Sequence, residues 1–135
     1  MQTEIFTHFH IQSLQHSQLL MFKDEPNLLI QVFSSLHDDL ENLQSILDTL
    51  HAELPQAVVI GATTDGEIEG GSVYSNSTVI SFSSFEHTQL NAFSVENSSA
   101  EQSAGTLVET VVTDRTKLLL TFTAGTTTHG EAFLS

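Results

Sequence analysis

Leucine recurs along residues 36–54 in steps of 4, 3, 4, 3 and 4, at Leu36, Leu40, Leu43, Leu47, Leu50 and Leu54. That spacing puts the side chains on one stripe of a 3.6-residue period and predicts an amphipathic helix packed on a core. Ser35 is its expected N-cap, Asp38 and Asp39 lie near the positive helix start, and Pro55 ends it. Two short, nearly continuous apolar runs flank the helix, Leu28–Phe33 and Ala57–Ile60. Such runs read as strands buried on both faces. Strand, helix and strand together predict a βαβ unit with parallel strands and a right-handed crossover.

The pattern then changes. Thr78–Phe85 and Gln89–Val95 alternate polar and apolar, which predicts an antiparallel hairpin turning at Glu86-His87-Thr88, with one more polar face. A second helix is expected from Ser98, where Ser98 with Glu101 or Ser99 with Gln102 fits a capping box. Its apolar stripe is Ala100, Ala104, Leu107, Val108, Val111 and Val112, and Lys117–Thr123 reads as a fifth strand. Residues 1–27 fit no single period. A short helix is expected around Ile11–Phe22, followed by a turn at Lys23–Asn27 marked by Pro26. Glu131–Ser135 reads as the opening of another helix, so the domain over 28–135 is expected to be C-terminally truncated. The expected fold is α/β: a mixed sheet of about five strands in the order β-α-β-β-β-α-β, with helices packed on it.

Composition narrows the function. The 135 residues carry 17 acidic and only 3 basic side chains, for a net charge of −14. Such a surface repels a phosphate backbone and an anionic bilayer, which argues against nucleic-acid and membrane-surface binding. There is no cysteine, hence no disulfide, thiolate metal site or cysteine nucleophile. No apolar stretch approaches the roughly 20 residues of a membrane span. Residues 1–10 lack the basic start of a secretory signal. A cytoplasmic location is the expectation.

The candidate chemistry lies after two expected strands. Thr63-Thr64-Asp65-Gly66-Glu67 and Thr127-Thr128-His129-Gly130-Glu131 agree at four of five positions. In open α/β sheets, ligands sit outside the carboxyl ends of parallel strands. Glycines there let backbone approach a ligand, hydroxyls donate and accept, and a carboxylate from each loop suits an amine-bearing polar molecule. The alternative is purely structural, because Thr-x-x-Glu is also a capping box and glycine-rich loops are ordinary turns.

Val59-Ile60-Gly61-Ala62-Thr63-Thr64-Asp65-Gly66-Glu67-Ile68 resembles the signature of the FIST domain. The later strand with its Gly130-Glu131 loop and the strand-helix order over residues 28–135 agree with that resemblance. It implies a sensory module at the N-terminal end of bacterial cytoplasmic signalling proteins whose outputs include diguanylate cyclases, histidine kinases and chemotaxis receptors. It further implies a small ligand such as an amino acid, and some members of the family resemble haem-binding nitric-oxide sensors. The expected ligand-binding residues are Thr63, Thr64, Gly66, Glu67, Gly125, His129 and Glu131.

The remaining motifs are weaker. His8 and His10 share a side of an extended chain and His16 is near, but no carboxylate completes a metal set, so no metal is expected. His51 complements the dipole of the first helix at its last turn. His129 would be the ligand of a haem, the alternative cofactor. No Gly-x-Ser-x-Gly, phosphate-binding loop or His-Glu-x-x-His occurs, so the chain is not expected to be an enzyme. A dimerisation or interaction module without a ligand is the competing function.

Overall fold

The computed structural model describes residues 2–8, 19–35, 40–64, 67–69, 71–74, 77–94, 105–106 and 108–122. The chain forms two compact units, Met1–Ala92 and Phe93–Ser135. The first is an α/β unit. It holds β1 (Gln2–His8), β2 (Leu28–Ser34), α1 (Leu40–Glu53), β3 (Val58–Thr63), β4 (Glu67–Glu69), β5 (Ser72–Tyr74) and β6 (Thr78–Ser84). Four strands make a mixed sheet in the order β1-β6-β2-β3, and β4 pairs with β5 in a separate hairpin.

The βαβ unit has the expected pairing. β2 and β3 run parallel, from Leu29 opposite Val58 to Ser34 opposite Thr63. β6 returns antiparallel along the other side of β2, and β1 pairs antiparallel with the far side of β6. β2 and β6 therefore have a neighbour on each edge, and nearly every residue in both is buried. One face carries Leu28, Ile30, Val32, Ile80 and Phe82, packed against Ile46, Leu50 and Leu54 with Leu19 and Phe22. Phe22 and Phe82 stack with ring centroids 4.7 Å apart and planes 7° from parallel. Each such side chain contributes about 1.5–3 kcal/mol on burial.

The helix is rotated from its expected stripe. Its innermost row is Asn42, Ile46, Leu50 and Leu54, spaced by four residues, while Leu43 and Leu47 flank the core and Leu40 is exposed. Ile46 is the reason. An isoleucine on the flank of the leucine stripe widens the apolar face to one side, and the helix turns to bury the wider face. His51 does lie in the last turn. Beyond it Ala57 donates its N–H to the Leu54 carbonyl and the chain turns into β3.

Gln56 ties this connection to the turn before β2. Its Nε2 donates to the carbonyls of Phe22, Lys23 and Glu25 at 3.1, 3.1 and 3.2 Å. In Gln56→Ala the Phe22 carbonyl keeps the Glu25 N–H and the Lys23 and Glu25 carbonyls stand close to solvent, so the expected cost is about 1 kcal/mol, read as a shift of the urea midpoint. A loss above roughly 3 kcal/mol would show that Gln56 supports more than this turn.

Four expectations are corrected. Gln89–Ser94 is not a strand: it is mostly exposed and joins no ladder among the described residues. A hairpin with β6 is closed to it because β1 and β2 already occupy both edges of β6. The N-terminal residues begin with a strand, β1, which the mixed composition of residues 1–27 concealed; of the helix expected around Ile11–Phe22, Leu19 and Leu20 are helical, Met21 and Phe22 turn, and residues 11–18 lie outside the described residues. Gly61–Thr63 belongs to β3 rather than to the following loop. The glycine-rich stretch from Gly61 to Gly71, expected as a loop after the strand, contains β4, and Gly71, at φ 82° in a conformation that favours glycine, connects it to β5.

In the second unit, residues 105–106 and 108–110 are helical, within the expected second helix; both proposed capping boxes lie outside the described residues. The helix runs out at a threonine turn. Thr113 N–H donates to Thr116 Oγ1 at 2.9 Å and Thr116 N–H to the Thr113 carbonyl at 3.1 Å. The expected strand at Lys117–Thr123 is another correction, since residues 117–122 are exposed and join no ladder among the described residues. A strand exists only where a neighbour takes up its backbone donors and acceptors.

Candidate functional site

The carboxyl ends of β2 and β3 come out side by side because the strands are parallel, and β6 begins at the same end because it is antiparallel to β2. Three segments therefore converge there: Ser34-Ser35, Thr63-Thr64 and Ser77-Thr78. Thr63 closes β3 opposite Ser34 and is exposed; Thr64, the next residue, is half-buried. Thr64 N–H donates to the Ser34 carbonyl at 2.8 Å, which fixes where the chain leaves the sheet.

Behind these threonines lies a buried hydroxyl cluster. Ser34 Oγ and Thr78 Oγ1 are 2.9 Å apart and share a hydrogen bond. Ser35 Oγ accepts the Ser77 N–H at 3.2 Å and faces the Ser77 carbonyl at 3.4 Å, while Ser35 N–H donates to that carbonyl at 3.0 Å. Ser34, Ser35, Ser77 and Thr78 are all 0–2% exposed. Burying the Ser34, Ser35 and Thr78 hydroxyls would cost several kcal/mol unpaired, and pairing them with each other and with the Ser77 backbone offsets it. Sequence reasoning missed this cluster. The signal was there as Ser34-Ser35 and Ser77-Thr78 at the ends of apolar runs, but only the antiparallel return of β6 brings the two pairs together.

Of the expected ligand-binding residues, the structure places Thr63 and Thr64 at this strand end. Glu67 opens β4, opposite Tyr74. Gly66, Gly125, His129 and Glu131 lie outside the described residues, as do the second loop and the haem-ligand position it carries. Ser35, expected as a helix cap, directs its hydroxyl to Ser77; residues 36–39, which it would cap, are also outside the described residues.

An open depression of about 310 Å³ lies elsewhere, beside α1 and β3, lined by Gln44, Leu47, Asp48, His51 and Val59. Gln44 Nε2 donates to Asp48 Oδ1 at 2.9 Å, so these polar groups satisfy each other along the helix surface. Among the described residues no three histidine or carboxylate side chains stand together as a metal set, and no helix is long and apolar enough to cross a membrane.

No curated protein and no solved structure matches the chain. A family model does: the FIST N domain, over residues 28–135. The match spans the βαβ unit, the strand-end threonines and the β4–β5 hairpin, together with the Val59–Ile68 stretch that resembles the family signature. Covering most of the chain, it shows that the chain belongs to the FIST family of sensory, signal-transducing domains.

Proposed function

We propose that this chain is the ligand-sensing part of a bacterial cytoplasmic signalling protein and that it captures a small polar molecule, such as an amino acid, at the carboxyl ends of β2 and β3. The observation that carries this reading is the convergence of Thr63, Thr64 and the Ser34–Thr78 cluster at the end of the only parallel strand pair among the described residues. Threonine hydroxyls orient the ligand, and Glu67 pairs with its amine. A surface of net charge −14 draws a cationic group and leaves few basic side chains to compete for those carboxylates. Binding one of two conformations more tightly biases an attached output domain, for example a diguanylate cyclase or a histidine kinase.

Glu67→Gln tests the reading because it keeps size and removes charge. With the panel of free L-amino acids, the parent chain is expected to gain several degrees in melting temperature with one ligand class. The variant is expected to lose at least tenfold in affinity for that ligand with its unliganded melting temperature nearly unchanged, which corresponds to about 1.4 kcal/mol or more for one charge-assisted bond. Equal losses of folding and binding would make Glu67 a structural cap.

One observation favours an interaction module instead. Leu118, Leu119, Leu120 and Phe122 are 76, 42, 50 and 45% exposed within five residues of chain. An apolar run of this kind marks an interface with a partner or a second copy. A dimer that dissociates on Leu119→Glu, in a chain indifferent to amino acids and haem, would establish that reading.

A further inference from the structure

Both ends of the excursion between β3 and β6 are tied to the same two residues. At its start, Thr64 donates its backbone N–H to the Ser34 carbonyl. At its end, Ser77 exchanges bonds with Ser35, giving its N–H to Ser35 Oγ and accepting the Ser35 N–H. Thr78 follows and shares a hydroxyl bond with Ser34. Between these anchors lie β4 and β5, with Glu67 at the first position of β4. The anchors are the last residue of β2 and the one after it, and β2 has β6 on one edge and β3 on the other.

Packing alone does not require hydroxyls here. Valine or alanine would fill such a site in a strand and would spare the cost of burying polar groups. What hydroxyls add is direction, since a buried bond between two fixed strands has one good geometry and is costly to break.

We propose that Ser34 and Ser35 are positioning residues: a buried hydroxyl clamp at the end of β2 that fixes the stem of residues 64–77 and so sets the pose in which Thr64 and Glu67 meet a ligand. The ligand part of this inference rests on the sensor reading above; the clamp does not. The clamp also gives ligand capture a route into the sheet. A pull on the excursion acts on Ser77, just before β6, and on Thr78, its first residue, and through Ser34 on β2.

The test uses the full chain without ligand and a glutamate-specific protease. Glu67 and Glu69 lie in the excursion, whereas Glu53 at the end of α1 and Glu86 just beyond β6 serve as internal references. Two variants are compared with the parent: Ser35→Ala, and Ser34→Ala combined with Thr78→Val, which removes both hydroxyls and leaves neither orphaned. The clamp predicts that cleavage at Glu67 and Glu69 accelerates roughly five- to tenfold in both variants while cleavage at Glu53 and Glu86 stays within about twofold of the parent, the pattern of a local opening. Amide exchange at Thr64 and Ser77 is expected to rise with it. Equal acceleration at all four glutamates would reduce the cluster to general stability, and no acceleration at Glu67 and Glu69 would remove it as an anchor; either result overturns the proposal. A parent chain that ignores every amino acid in the panel would sink the sensor reading while leaving the cleavage ratio intact, so the two failures are told apart.

Discussion

Gly61→Ala is expected to be the most damaging single-methyl change in the βαβ unit. Gly61 stands opposite Val32 across the parallel pair. A Cβ at this position would lie 1.9 Å from the Val32 carbonyl oxygen and 2.8 Å from its carbon. Neither atom can rotate away, because both belong to the backbone of the strand between β6 and β3. Relief requires the strands to separate locally and to weaken the ladder that also places Thr63 and Thr64. The expected loss is about 3 kcal/mol or more, at the upper end for overpacking. For a domain of this size that is a drop of about 10 °C in melting temperature, and a sizeable share of a total stability of roughly 5–15 kcal/mol. A melt of the variant checks it; a change under about 1 kcal/mol would mean that β2 and β3 do not approach as described.

Phe82→Ala is expected to cost about 3–5 kcal/mol. Phe82 lies on β6, is fully buried, and stacks on Phe22 with nearly parallel rings. Its loss opens a cavity between the sheet and the chain before β2, bounded by elements that cannot readily collapse into it. Phe82→Leu keeps part of the volume and is expected to cost about half as much. Urea unfolding at constant slope separates these values. If alanine and leucine proved equally harmless, the two phenylalanines would not be core residues.

What the sequence made legible follows from how local each signal is. Leu28–Phe33, the leucine helix and Ala57–Ile60 each state their element within one window, and their succession implies the parallel pair that the structure contains. The rotation of α1 was less legible because it depends on Ile46 choosing between two nearly equivalent apolar faces. β1 was hidden because a strand at the edge of the sheet needs no apolar run; its partner β6 lies more than seventy residues away in sequence. The same distance explains why the hairpin expected with Gln89–Ser94 does not form: its alternating pattern is sound strand chemistry but finds the edges of β6 taken. At the candidate site, the Thr63-Thr64 motif was legible as a loop signature, whereas the Ser34–Thr78 bond joins residues that no periodicity connects.

The proposed ligand site lies at the carboxyl ends of β2 and β3. Backbone amide shifts of the full chain, followed while free L-amino acids are added, test it most directly. Saturable shifts are expected at Thr63, Thr64 and Glu67–Glu69, with Ser77 following through the clamp and Leu40–Glu53 of α1 silent. Shifts centred on Gln44, Asp48 and His51, or no shifts in a folded chain, would contradict it.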